Sequence, residues 1–134
     1  LLVVVALLGI LSAIAIPTYN GYIDSVKINS AQNSLRLIYL AEVEQFSDNS
    51  TYYSVTTSCG PNSHLANPIN INLFGGSKTI PQESKPDFYF CIESNDITTE
   101  YKAFAYKVNG DDWFSIDQNN DHVGEQDGNS IDSW

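Results

Sequence analysis

The sequence predicts an α+β fold in which a long N-terminal helix packs, at its C-terminal half, on a small antiparallel sheet. Two observations carry this expectation. An aliphatic run passes without a break into an amphipathic pattern of helical period, and three short segments rich in aromatic and β-branched residues follow much later. The last two are separated by Asn109-Gly110, a strong hairpin signal. At 134 residues the chain has room for one domain and one appendage.

The appendage comes first. Leu1 to Ile16 reads LLVVVALLGILSAIAI, and nothing charged appears before Asp24. As a helix those residues span about 24 Å, a little short of the roughly 30 Å hydrocarbon layer of a bilayer. A signal peptide would need a small-residue cleavage site before the mature domain, and this run continues into a polar helix instead. A core helix apolar on every face needs a large surrounding protein, which the remaining polar chain cannot supply. The expectation is a membrane anchor or lateral assembly helix over 1–22. Gly9 and Pro17 weaken it, glycine through backbone entropy and proline through its missing donor and its clash with the preceding turn. A kink or local melting is therefore expected between them.

The head is expected over 23–134. An apolar stripe of Ile23, Val26, Ala31, Leu35, Ile38 and Ala41 continues the helix to about Phe46, giving an amphipathic segment over 23–47. Leu37, Leu40 and Val43 widen the stripe enough to receive a sheet, and Glu42 and Glu44 fall with Asp24, Lys27 and Arg36 on the opposite, polar side. Residues 48–86, rich in Ser, Thr, Asn, Gly and Pro, read as a long connecting loop of the kind that serves display or contact. Strands are expected at Phe88 to Ile92, Glu100 to Val108 and Trp113 to Asp117, forming a sheet over 87–118. An acidic loop follows over 119–134.

Sixteen acidic against six basic residues give a formal net charge of -10, which repels phosphate backbones, so the head is not expected to bind nucleic acid. Cys59 and Cys91 stand in no CxxC or Cys/His cluster. A disulfide between them is the simpler reading, stabilising the fold by about 3.7 kcal/mol and placing the head in an oxidising space. Two independent buried thiols are the alternative. No nucleophile motif, HExxH or phosphate loop is present, and His64 and His122 read as solvated loop residues, so no enzymatic activity is expected. Asp117, Asn119 and Asp121, with the Val123 carbonyl, Glu125 and Asp127, offer oxygens at alternate positions suited to calcium. The EF-hand pattern itself fails, because His122 stands where its glycine belongs and Gly128 where its closing glutamate belongs.

The segment LLVVVALLGILSAIAIPTYNGY, Leu1 to Tyr22, closely resembles the N-terminal motif of type IV pilins and type II secretion pseudopilins. Gly9, Pro17 and the Tyr19/Tyr22 pair fall where the family has such features. The family's mature chain opens F-T-L-I-E, so the resemblance implies that five residues, ending in a glutamate, precede Leu1. It also implies the type IV pilin fold, a methylated N-terminus, a helix segment that loses helicity in the filament, and pairing of that glutamate with a neighbour's terminal amine. Ser115 to Trp134 is similar to the C-terminal calcium loop of the major type II pseudopilin.

The function implied is that of a pilin held in the inner membrane as a precursor. An assembly machinery then polymerises it with copies of itself into an extracellular helical filament for adhesion, motility or DNA uptake. A secretion pseudopilin is the alternative reading, favoured by the calcium-like tail. A single-span, membrane-anchored binding protein is the third.

Overall fold

The computed structural model describes residues 1–14 and 21–134, which divide into two units, Leu1–Ser30 and Ala31–Trp134. Helix α1, Leu2–Asn49, supplies residues to both. In Leu1–Ser30 it passes through Gly9 without interruption. One helical glycine costs only about 1 kcal/mol relative to alanine, too little to break a helix of this length. Pro17, the other expected weak point, lies outside the described residues. The Ser12 and Ser25 hydroxyls donate to the carbonyls four residues back, at 2.8 and 3.1 Å from Leu8 and Gly21.

Within Ala31–Trp134, α1 ends at Asn49, three residues beyond Phe46, and Ser50 leaves the helix in the left-handed region at φ 56°. The sheet has five strands: β1 Phe88–Glu93, β2 Lys102–Lys107, β3 Trp113–Asp117, β4 His122–Gln126 and β5 Asn129–Ile131. Every neighbouring pair is antiparallel, and spatial order follows chain order, so the sheet is a meander. The first three strands match the expected segments to within two residues. The acidic loop expected after them contains β4 and β5. Within those two strands only Val123 and Ile131 are large apolar residues, so alternation gave no strand signal. The turn between the two strands is nevertheless an Asp-Gly pair, with Asp127 at φ 53° and Gly128 at φ 78°, which suits a tight hairpin. Asn109, at φ 57°, makes the expected turn between β2 and β3.

Register brings Phe90, Ala105, Phe114 and Gly124 side by side, and Ile92, Ala103 and Ile116 beside them. All are buried, forming the apolar face of the sheet. Gly124 is required on that face, because a Cβ there would run into the Trp113 carbonyl and the Phe114 ring. The α1 residues Ala31, Leu35, Ile38 and Glu42 are buried at spacings of four, three and four, the period of one helix face. The Arg36 guanidinium lies 5.2 Å from the centre of the Trp134 ring, which itself meets Phe114 edge-on. That contact brings α1 to the Trp134 side of the sheet.

The expected long loop is ordered by three devices. A short helix, α2 (Ala66–Leu73), buries Ala66, Ile69 and Asn70. The Asn70 amide donates to the Ile80 carbonyl and its oxygen accepts from the Ile80 N–H, both at 2.8 Å, fixing the return toward β1. Residues 52–65 run beside the open edge of β1. Val55 N–H donates to Ile92, Leu65 N–H to Phe90, and Ser94 N–H to Thr56, so the edge is closed against strand pairing with other chains. The Cys59–Cys91 disulfide ties this segment to β1 across a sequence separation of 32.

Candidate functional site

In Leu1–Ser30 the largest feature is an uncovered apolar surface. Leu1 to Val5, Leu7, Leu8, Ile10, Leu11 and Ile14 are all more than half exposed, and together they surround the helix on every side. Keeping such a side chain in water costs about 1.5–3 kcal/mol relative to burial, so a contiguous surface of ten marks a place where lipid or protein belongs. Among the described residues, no helix is long and apolar enough to cross a membrane.

In Ala31–Trp134 a separate stripe of Leu37, Leu40, Val43 and Phe46 faces outward at intervals of three residues, with Leu40 at 62% exposure. The expectation that Leu37, Leu40 and Val43 receive the sheet is corrected here. The helix carries apolar residues on two sides, and the buried side is that of Leu35 and Ile38. Periodicity alone could not choose between them. Phe46 has a partner, the Tyr52 ring stacked at 4.5 Å.

Glu42 is also corrected. Expected on the polar face, it is fully buried. Its Oε2 accepts the Tyr53 N–H at 2.8 Å, while its Oε1 has no hydrogen-bond partner among the described residues. Burial pushes its carboxyl up from 4.5 to about 8, against the Tyr53 hydrogen bond, which favours the charged form. The hydroxyl of Tyr101, 2% exposed, is likewise unpartnered, and burial followed by the Glu42 charge raises its pKa well above the ordinary phenol value. No side-chain cation contributes to either shift. The sequence signal was the position itself, since Glu42 follows Leu35 and Ile38 by seven and four residues on the buried face.

The structure gives the groups expected around calcium other work. Asp117 Oδ1 accepts the N–H groups of Asn119 and Asp121, at 2.9 and 3.1 Å, closing the turn between β3 and β4. The Val123 carbonyl accepts from Trp134 Nε1 at 3.1 Å and from the Ser115 hydroxyl at 3.4 Å. Glu125 lies opposite Ser130, well inside the β4–β5 hairpin, and Asp127 is in its turn, where its N–H donates to Asp112 at 3.0 Å. Among the described residues, no three His, Cys, Asp or Glu side chains come together as a metal site would require. A hairpin spreads alternate residues along two strands, whereas a calcium loop curls them around a point.

His122 lies on β4 rather than in a loop, and His64 is in a loop but half-buried. The His122 nitrogens meet the Trp134 carbonyl and Asn120 Oδ1, each at 2.9 Å, so the C-terminal residue is held against β4. The His64 ring lies 4.8 Å from the Tyr89 ring.

Set beside known proteins, the chain matches no family model, no curated protein and no solved structure.

Proposed function

We propose that the chain is a structural subunit of a type IV pilus, with the type IV pilin fold. It is held in the inner membrane by its apolar helix and then polymerised by an assembly machinery into an extracellular filament of identical copies. The observation that carries this reading is the aliphatic surface over Leu1 to Ile14, exposed on all sides of α1. A helix apolar all round needs apolar surroundings on all sides, which a bilayer offers before assembly and a bundle of identical helices offers afterwards. Transfer from lipid to such a bundle yields little hydrophobic gain. Cohesion then falls to close packing, for which Ala6, Gly9, Ser12 and Ala13 are small enough to let helices approach.

Five further features fit. The α+β head, the edge-closing segment 52–65 and the Cys59–Cys91 bridge suit a subunit exposed to an oxidising exterior. The outward stripe of Leu37, Leu40 and Val43 offers a lateral contact to a neighbouring copy. The net charge of -10 falls entirely in Ala31–Trp134, since Asp24 and Lys27 cancel in the first unit; like-charged heads favour an assembly held by its helices.

Electron microscopy of the sheared surface fraction, with the chain identified in it by mass spectrometry, tests the reading. Filaments containing the chain are expected. A chain found only as a detergent-soluble monomer in the membrane fraction would overturn it in favour of a single-span anchored protein.

A further inference from the structure

We propose that Glu42 is a proton-held latch, so that closing the segment from Ser50 through α2 onto α1 takes up one proton. The latch is a chain of named contacts. Glu42 Oε2 receives the Tyr53 N–H, the Tyr53 hydroxyl donates to the Pro68 carbonyl at 3.2 Å, and the Asn72 amide donates to that hydroxyl at 3.0 Å. One carboxyl on α1 thereby holds the start of the segment, and through the Tyr53 ring it reaches the far end of α2. Tyr52, beside it, lies between Phe46 at 4.5 Å and Tyr101 at 4.9 Å.

The pocket around the carboxyl disfavours the charged form. Among the described residues, the titratable groups that feel its charge are Tyr53 on the segment and Tyr101 just before β2, and α2 reaches it through the Asn72 amide on the Tyr53 hydroxyl. Every one of these is neutral or negative when it titrates, so none compensates a bare carboxylate. A protonated carboxyl needs an acceptor for its O–H, and an ionised one needs donors for both oxygens. Among the described residues only one donor, the Tyr53 N–H, reaches it. Lifting the segment exposes the group to water, where it ionises at its ordinary value.

The linkage fixes the sign. The closed form keeps the proton up to about pH 8 and the open form loses it above 4.5, so between those limits opening becomes tenfold easier for each pH unit. Above that window the dependence levels off. Acid therefore closes the segment that covers the open edge of β1, and mild alkali loosens it.

Hydrogen exchange on the whole chain in detergent micelles, corrected for intrinsic rates, tests the latch. The amides of Tyr52, Tyr53 and Val55 are expected to exchange through an opening that leaves the β2 and β3 amides protected. The constant for that opening should grow about four-hundredfold from pH 5 to pH 8. In Glu42→Gln, whose side chain stays neutral and can still accept the Tyr53 N–H, the growth should vanish. Either of two results overturns the proposal: Tyr53 exchanging only together with the β2 and β3 amides, or a pH slope that survives in Glu42→Gln. The carboxyl carbon shift of Glu42, read directly by NMR in the unmodified chain, gives an answer independent of the variant's folding. Titration near 4.5 would equally overturn it.

Discussion

Replacing Glu42 by Gln is predicted to stabilise the protein at neutral pH, although it alters a fully buried residue. In the folded chain the carboxyl is protonated up to about pH 8, whereas in the unfolded chain it ionises at about 4.5. Between those values the unfolded state binds fewer protons than the folded one, so stability must fall as pH rises. Each tenfold in proton affinity corresponds to about 1.4 kcal/mol, which makes the loss about 3 kcal/mol at pH 7 and on the order of 5 kcal/mol across the window. The slope ends at about pH 8, or sooner if the segment over Glu42 opens first. Glutamine keeps the size and the acceptor for Tyr53 and has no proton to lose. The two proteins should therefore be equally stable near pH 4, within about 1 kcal/mol, and should diverge with Glu42→Gln the more stable as pH rises. Urea unfolding in micelles, followed by fluorescence of Trp113 and Trp134 at half-unit pH steps, measures both curves. Parallel curves from pH 4.5 to pH 8 would refute the reasoning, because they would mean that Glu42 is charged in the folded state.

Three other perturbations follow from the packing. Gly124→Ala should destabilise by about 1–3 kcal/mol or prevent folding, because its methyl meets the Trp113 backbone, which a rotamer change cannot move; thermal unfolding checks it. Reduction of Cys59–Cys91 should lower stability by about 3.7 kcal/mol, read as a shift of the urea midpoint with and without reductant. Trp134→Ala removes the ring that meets Phe114, His122 and Arg36 together with its bond to the Val123 carbonyl, and should cost about 1–3 kcal/mol. Its effect on exchange should be concentrated in β4 and β5, as amide exchange resolved by residue would show.

The features legible in the sequence were those written in apolar residues at one clear period. Phe88 to Ile92, Glu100 to Val108 and Trp113 to Asp117 have the composition of strands, and Asn109-Gly110 marks the hairpin between the last two. α2 escaped notice because ANPININL is eight residues with three asparagines and an internal proline; Pro68 is tolerated because it sits in the first turn, where no N–H is needed. β4 and β5 are held by backbone pairing to a strand already in place and by the Asp127-Gly128 turn, so they need little apolar content of their own. On α1 the difficulty was an excess of signal. With apolar residues on two sides, the choice of buried side depends on the sheet, and that choice carried Glu42 inward and left Leu40 outside. The acidic tail read as a loop for a related reason, since its polar residues carry no apolar alternation even where they pair as β4 and β5.

The central claim is that the aliphatic surface of residues 1–14 exists to be exchanged from lipid to contact with copies of the same helix. Replacing Leu7 by Asp, and separately Leu8 by Asp, and counting surface filaments by electron microscopy tests it most directly. Both side chains are exposed, so the head should keep its native fluorescence and exchange pattern while a buried charge prevents helix association. The account predicts a folded head and no filaments. Normal numbers of filaments from either variant would contradict it.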